Sequence, residues 1–448
     1  MKSAAQPALA PMQTESRSSR HWWVLFHRWV GLVMAGFLLL AGLTGALLAW
    51  NDELDSWAAS DLRRAQTAGP RLDAFTLRDK IVAAYPGAWV HQVDLKSPAP
   101  GETPSFYIEA PADPKTHEHA VLPNDQIYLD PVTGAVVGER KWGAISQGLK
   151  NLMPFVYQLH YQLALGTVGT YAFGIVALLW TLDCFVGAYL TLPLRARRHE
   201  GAQLPAATKS WWSRWKPAWG VRWRGGAYKI NFDLHRAGAL WVWAMLFVIA
   251  WSGVGFNLGQ VYNPVMKTFF AVDEREDNLP RRDADQAQPG IPWHEAHRIA
   301  QKHMAAEAQR LQFTVLEEQN LAYDPHKVLY SYSVKSSADI RDKYGSTRLY
   351  FDANTGDLKF TYLPTGRYAG DTVTHWLTGL HMAQVWGLPF RIFVCAMGLV
   401  VAMLSVTGVV VWLKKRRGRL RLRSVSAVVA EHPDGPPRRA AAFDVSEA

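Results

Sequence analysis

Residues 26–50 read FHRWVGLVMAGFLLLAGLTGALLAW, so a histidine and an arginine stand at the start of a long apolar run. Residues 234–236 (LHR) open a second such run, and the pair LH at 159–160 and at 380–381 precedes two more. Each run reaches the roughly 20 residues that a helix needs to cross a bilayer core. The four runs are 24–50, 168–192, 237–258 and 388–413. The sequence therefore predicts an α-helical membrane protein with a bundle of four transmembrane helices.

The formal net charge of +10 arises from basic clusters beside the ends of these runs. Residues 194–229 hold nine Lys or Arg against one Glu, and residues 414–423 hold seven Lys or Arg. Because such clusters mark the cytoplasmic side, both termini are predicted to be cytoplasmic. The partner expected from this placement is the lipid bilayer and not a nucleic acid. Cys184 and Cys395 both lie within spans, which excludes a disulfide scaffold, and the absence of C-x-x-C-H excludes covalent c-type haem.

The membrane part of the chain repeats itself. His27 and His235 are 208 residues apart, and His160 and His381 are 221 residues apart. Glycines follow these histidines at equal distances in both copies: Gly45 and Gly253, Gly166 and Gly387, and Gly187 and Gly408. Parallel repeats of this kind are related by a pseudo-twofold axis along the membrane normal. Each histidine is therefore predicted to meet its counterpart, His27 with His235 near the cytoplasmic face and His160 with His381 near the opposite face.

The segments between the spans repeat as well. Residues 126–136 read QIYLDPVTGAV and residues 348–358 read RLYFDANTGDL, and both predict a β-hairpin around a D-x-x-T-G turn. Helical patterns precede the hairpins at 76–85 and 292–310. Each segment is therefore predicted to be a small α+β module, and the chain to be two tandem span–module–span repeats.

The predicted organisation has nine segments. They are a disordered cytoplasmic N-terminus (1–20), the first span (21–50), the first module (51–150), the second span with a preceding interfacial helix (151–193), a basic Trp-rich cytoplasmic loop (194–229), the third span (230–258), the second module (259–370), the fourth span with its interfacial helix (371–413), and a basic, disordered tail (414–448).

Two imidazoles on facing helices are how a helix bundle holds haem iron. The matched pairs thus predict two non-covalent b-type haems, one held by His27 and His235 and the other by His160 and His381. Structural zinc normally takes four protein ligands, more than either pair offers. The alternative is that these are interfacial histidines that are hydrogen-bonded to neighbouring helices.

Other residues are candidates for supporting roles. Arg28, Arg236 and Arg391 are predicted to neutralise haem propionates, although Arg28 and Arg236 would also suit headgroup contacts. Asp183 is an acid inside a span, which predicts that it orients a ligand histidine or relays a proton. His375 competes with His381 as a ligand, but its counterpart is Pro154, so it is expected to contact an acceptor at the outer site instead. His117 and His119 are expected to be solvated.

Several stretches resemble the PepSY-associated transmembrane family. They are HRWVGLVMAGFLLLAGLTGALLAW (27–50), YLDPVTG (128–134), DLHRAGALW (233–241), YFDANTG (350–356) and LHMAQVWGLPFR (380–391). The resemblance covers residues 20–418. It implies a bacterial inner-membrane protein with two periplasmic PepSY modules, and some members are di-haem ferric-siderophore reductases that serve iron uptake.

The function expected on this basis is electron transfer across the membrane to a ferric siderophore or another periplasmic iron complex, which makes the protein an oxidoreductase. No G-x-G-x-x-G motif follows a strand, so the donor is expected to be a quinol or a separate reductase. Two alternatives remain open. One is a non-enzymatic anchored PepSY protein that binds or regulates a partner, and the other is a transporter of siderophore or metal.

Overall fold

The computed structural model describes residues 19–111, 120–193, 210–281 and 286–431. The predictions for residues 1–18, His117, His119, 194–209 and the tail beyond 431 lie outside the described residues. The helices are α1 (Ser19–Leu48), α2 (Asn51–Ala58), α3 (Ser60–Arg63), α4 (Ala74–Ala84), α5 (Leu152–Gln162), α6 (Gly166–Thr191), α7 (Trp211–Trp215), α8 (Ala227–Trp241), α9 (Trp243–Asn257), α10 (Gly259–Phe269), α11 (Trp293–Leu311), α12 (Ala369–His381) and α13 (Gly387–Glu431). The strands are β1 (Gln92–Asp94), β2 (Ser105–Tyr107), β3 (Gln126–Leu129), β4 (Val136–Arg140), β5 (Val315–Asp324), β6 (Leu329–Ser336), β7 (Thr347–Asp352) and β8 (Leu358–Tyr362). Short 3₁₀ helices occur at Ile145–Gln147, Leu149–Asn151 and Lys216–Trp219.

Three helical stretches in the described residues are long and apolar enough to cross a membrane, namely Arg20–Leu48, Gly166–Thr191 and Gly387–Leu420. The predicted third span is present as a broken pair, α8 and α9, with a bend of 73°. The protein is therefore a membrane protein with three candidate spans, or four if the bent pair counts as one.

The break in the third span falls at Val242, between two tryptophans. The indole N–H of Trp241 donates to the Trp219 carbonyl at 3.0 Å, and that of Trp243 donates to the Cys184 carbonyl at 2.8 Å. Neither Gly nor Pro occupies the break, so no helix-breaking residue indicated it in the sequence. Two flanking side chains are thus bonded to two different segments on either side of the bend.

The chain divides into two compact units. Unit 1 comprises residues 1–36, 179–243 and 404–448, and unit 2 comprises residues 37–178 and 244–403. Unit 2 contains all eight strands that occur in the described residues. One histidine pair falls in each unit.

Both predicted hairpins are confirmed. β3 pairs with β4 and β7 pairs with β8, each antiparallel. The Asp130 carboxylate accepts from the backbone N–H groups of Val132 and Thr133, which closes the first turn. Gly134 and Gly356 have φ values of 70° and 80°, a left-handed conformation that favours glycine. The D-x-x-T-G pattern therefore formed the turns that its chemistry predicts.

The two segments between the spans are joined by a shared strand pairing and a common core. A three-stranded sheet has the order β2-β3-β4, and a five-stranded sheet has the order β1-β5-β6-β7-β8. β1 belongs to the first predicted module, yet it pairs with β5 of the second. The common core joins Ile81 of α4 and Ala300 of α11 to Tyr330 and Leu349 of the large sheet. This union was not predicted, because β1 has only three residues, and an alternation of that length does not indicate a partner strand.

Helices α1 and α13 approach closely within unit 2. A Cβ atom added at Gly42 would lie 2.5 Å from the Gly398 carbonyl oxygen and 3.0 Å from the Ala402 nitrogen. These neighbours are backbone atoms, so the helices must separate to admit any side chain. This is the small-residue contact that allows membrane helices to pack closely.

We expect Gly42→Leu to lower the stability of the protein by about 1–3 kcal/mol, the usual cost of overpacking. The measurement is the free energy of unfolding in detergent, followed by circular dichroism. Gly36→Leu is the matched control on the same helix, because nothing lies within 4 Å of a Cβ at that position. Equal losses for the two variants would contradict the close α1–α13 contact.

Candidate functional site

The first histidine pair lies in unit 1. His27 of α1 and His235 of α8 have ring centroids 6.1 Å apart, with the ring planes inclined at 54°. The two residues are 208 positions apart in sequence, so only the fold brings them together. The structure thus places in one site the two imidazoles that the repeat related.

The two rings of this pair are held by different acceptors. Nδ1 of His27 lies 2.9 and 3.0 Å from the two carboxylate oxygens of Asp183 on α6. Asp183 is buried, with 7% of its surface exposed. Nδ1 of His235 lies 3.0 Å from the Leu404 carbonyl oxygen and 3.2 Å from Oγ1 of Thr407, both on α13.

The second pair lies in unit 2. His160 of α5 and His381 of α12 have ring centroids 6.2 Å apart, with the planes inclined at 82°. Nδ1 of His160 lies 3.0 Å from Oγ1 of Thr44 on α1, and Nδ1 of His381 lies 2.6 Å from Oγ of Ser252 on α9. These two histidines stand near the C-terminal ends of short helices that precede the spans.

The hydroxyl partners fix the tautomer of the rings. Thr44 donates its own proton to the Leu40 carbonyl at 2.7 Å, and Ser252 donates to the Val248 carbonyl at 2.6 Å. Each hydroxyl oxygen is therefore left to accept, and the ring N–H must be at Nδ1. A carboxylate and a carbonyl also only accept, so the same assignment holds for His27 and His235. Every recorded hydrogen bond of the four rings uses Nδ1, which leaves the lone pair of Nε2 for a metal.

A glycine marks the position of three of the rings. A Cβ atom would lie 3.0 Å from Cε1 of His160 at Gly45, 3.7 Å from Cε1 of His27 at Gly187, and 3.1 Å from Cε1 of His235 at Gly408. A side chain at these positions would meet the edge of the imidazole. At Gly253, the fourth position of the repeat, the added atom would instead meet Cβ of Ala177 at 3.2 Å.

The acceptors stand at fixed distances before these glycines. Thr44, Ser252 and Thr407 each directly precede one, and the Leu404 carbonyl lies four residues before Gly408. The carbonyls of Ala41 and Ile249, four residues before Gly45 and Gly253, also interact with His160 and His381. The sequence reasoning missed these hydroxyls, although a Ser or Thr before three of the four glycines was a visible signal.

The donor set fits haem. Two imidazoles bound to opposite faces of one iron have ring centres about 6 Å apart, because each bond from metal to nitrogen is about 2 Å and each ring centre lies about 1 Å further. The observed spacings of 6.1 and 6.2 Å agree with this value. In the described ranges, no three His, Cys, Asp or Glu side chains gather as a metal-ion site would need, whereas haem needs only two axial ligands.

The three arginines differ in their surroundings. Nε of Arg28 and Nε of Arg236 are buried and have no hydrogen-bond partner in the described part of the chain. Arg236 also donates to Asp233 at 3.0 Å. Arg391 donates to the Glu53 carboxylate at 2.7 Å, so its charge is already balanced. Arg28 and Arg236 thus keep donors for an anionic group, and both follow a histidine of the first pair.

His375 faces away from the second pair in its recorded contacts. Its Nε2 atom lies 2.9 Å from the hydroxyl of Tyr362 on β8, and it lies six residues before His381 on α12. Burial, together with the neighbouring Arg341 guanidinium, lowers the pKa of His375 to about 4. The structure therefore brings His381, and not His375, to His160.

The family of this chain follows from comparison with known proteins. None of the curated proteins compared with the chain matches it. A family model described as the PepSY-associated TM region matches residues 24–415, a span that includes both histidine pairs and all eight strands. The chain therefore belongs to the PepSY-associated TM family.

Proposed function

We propose that the protein carries electrons across the bacterial inner membrane through two b-type haems and reduces a ferric siderophore in the periplasm. The observation that supports this most strongly is the repetition of one arrangement. Two pairs of imidazoles have almost equal spacings of 6.1 and 6.2 Å, and every ring is secured through Nδ1.

The residues of the chain have distinct tasks in this proposal. His27 and His235 would hold one haem through its iron, and His160 and His381 would hold the other. The acceptors at Nδ1 hold each ring in the tautomer that presents Nε2, so binding costs little reorientation. Arg28 and Arg236, whose buried Nε atoms have no hydrogen-bond partner in the described residues, would bind propionates at the first site. When bound, each haem supplies a one-electron carrier.

The topology proposed for the chain follows the basic residues. Lys414, Lys415, Arg416 and Arg417 directly follow the last apolar stretch, which assigns that end of the span to the cytoplasm. The first histidine pair then lies on the cytoplasmic side, where a quinol or a separate reductase supplies electrons. The strand-rich part of unit 2 faces the periplasm, where the siderophore releases its iron as Fe(II).

The first test is the haem content of the purified full-length protein from haem-replete cells. We expect a reduced-minus-oxidised spectrum with sharp b-type α and Soret bands and two haems per chain. A haem-free preparation would overturn the proposal and would favour a PepSY protein that only binds a partner.

The second test addresses the acceptor. The dithionite-reduced protein, freed of excess reductant, is mixed with a ferric hydroxamate siderophore and a ferrous-iron chelator. We expect the haems to reoxidise while the coloured ferrous complex forms in proportion. Haem that stays reduced would exclude that siderophore as acceptor while leaving the haem assignment intact.

A further inference from the structure

One of the four histidines is held differently from the other three. His160, His235 and His381 each interact with two groups near a glycine of the repeat. One group is the hydroxyl of the residue directly before that glycine, and the other is the carbonyl of the residue four before it. The three glycines are, in the same order, Gly45, Gly408 and Gly253. At the fourth site the residue directly before Gly187 is Val186, which has no hydroxyl. The residue four before Gly187 is Asp183, and its carboxylate takes over the contact with His27.

This exchange puts a carboxylate where the other sites have neutral oxygens. Both oxygens of Asp183 lie within 3.0 Å of Nδ1 of His27, and the group is buried. Hydrogen bonds to charged groups are stronger than neutral ones, so a carboxylate draws the Nδ1 proton away from the ring more than a carbonyl does. The imidazole becomes a more basic ligand, and a metal bound to it is stabilised in the more positive oxidation state.

The surrounding charges do not cancel this effect. In unit 1 the Asp233 carboxylate is paired with two guanidinium groups, those of Arg222 and Arg236, at 2.6 and 3.0 Å, and a propionate at Arg236 would neutralise the one positive charge that this cluster leaves over. Arg28 remains as the cation beside His27, and a propionate would neutralise it. In the described residues of unit 2, the recorded hydrogen bonds of His160 and His381 go to hydroxyls and not to a carboxylate.

We propose that Asp183 makes the His27–His235 haem the one with the lower reduction potential, so that electrons run downhill towards the His160–His381 haem. This inference rests on the proposed function. In each transfer one electron leaves the first iron, which becomes ferric, and enters the second, which becomes ferrous, and no bond is made or broken. Asp183 is a positioning residue, because it acts through His27 and does not touch the iron.

The test is an optical redox titration of the haem-loaded full-length protein. We expect two midpoints for the wild type. Asp183→Asn keeps a hydrogen-bond acceptor of the same shape and removes the charge, so it should raise the lower midpoint and leave the upper one in place. Asp183→Glu keeps the charge and should leave the lower midpoint nearer to its wild-type value. Thr44→Val is the matched control at the other pair and should leave the lower midpoint unchanged.

A double variant guards against loss of the fold in Asp183→Asn. Asp183→Leu/Val186→Thr copies the arrangement of Leu404 and Thr407, with a hydroxyl directly before the glycine and an apolar residue, which offers only its backbone carbonyl, three residues before that hydroxyl. It should also raise the lower midpoint and shift the low-spin ferric resonance of one haem in the electron paramagnetic resonance spectrum. A lower midpoint that stays in place in both variants, or a shift of the upper one alone, would overturn the inference. A wild type without haem would instead remove the proposed function itself.

Discussion

His160→Ala and His381→Ala should each yield a protein with about one haem per chain instead of two. Each pair supplies both axial ligands of one site, and the two pairs share no residue. Removing one imidazole leaves a single ligand, so that haem is lost or becomes high-spin while the other keeps its b-type spectrum. His27→Ala and His235→Ala should each have the same effect on the other haem, the one assigned to His27 and His235. Haem content and the low-temperature α-band of each variant provide the measurement.

Two other histidines serve as controls for this series. His21 lies six residues before His27 on α1 and is exposed, so His21→Ala should retain both haems. His375→Ala should also retain both, because its recorded partner is Tyr362. If His375→Ala lost a haem while His381→Ala kept both, the assignment of the ligand on α12 would be wrong.

Asp55→Ala should strongly destabilise unit 2, because it breaks a buried ion pair. The Asp55 carboxylate accepts from Arg140 at 2.9 Å and from Arg63 at 3.0 Å. The side chain of Arg140 is only 4% exposed, and its Nε atom also donates to Gln126 at 2.7 Å. Removing the carboxylate leaves a buried guanidinium without its counter-charge, which costs about 3–5 kcal/mol.

The control for this prediction is an exposed ion pair in the same unit. Lys96 and Glu317 are 2.8 Å apart, but both side chains are at least 40% exposed. Because solvent screens such pairs, Lys96→Ala should cost about 1 kcal/mol or less. Thermal unfolding of both variants in detergent gives the comparison, and a similar loss for the two would contradict the importance assigned to burial.

The sequence predicted best those features whose cause is local. The apolar runs, the helix that became α11 and the two D-x-x-T-G turns each depend on residues close together in the chain. The histidine pairing came from the repeat, because equal spacing relates positions that a twofold arrangement would bring together. The contact between His27 and Asp183 was anticipated only as a role for Asp183 in orienting a ligand.

What could not be predicted depends on backbone atoms and distant pairing. The Leu404 carbonyl holds His235, yet every residue has a carbonyl and nothing in the sequence distinguishes this one. The break at Val242 lies between two indole groups that bond to distant segments, and the sequence does not show such contacts. The pairing of β1 with β5 joins residues more than two hundred positions apart, and the alternation of a three-residue strand is too short to indicate its partner.

That pairing has a consequence for how the protein is made. β1 ends at Asp94 and β5 begins at Val315, 221 residues later. At a synthesis rate of about 5–20 residues per second, the edge of β1 waits roughly 10–45 s for its partner strand. An unpaired strand edge is a site of aggregation during that time. The first half of the chain therefore emerges as an unfinished domain, and a protein truncated after the third span would leave Val93 and its apolar neighbours without the core that covers them.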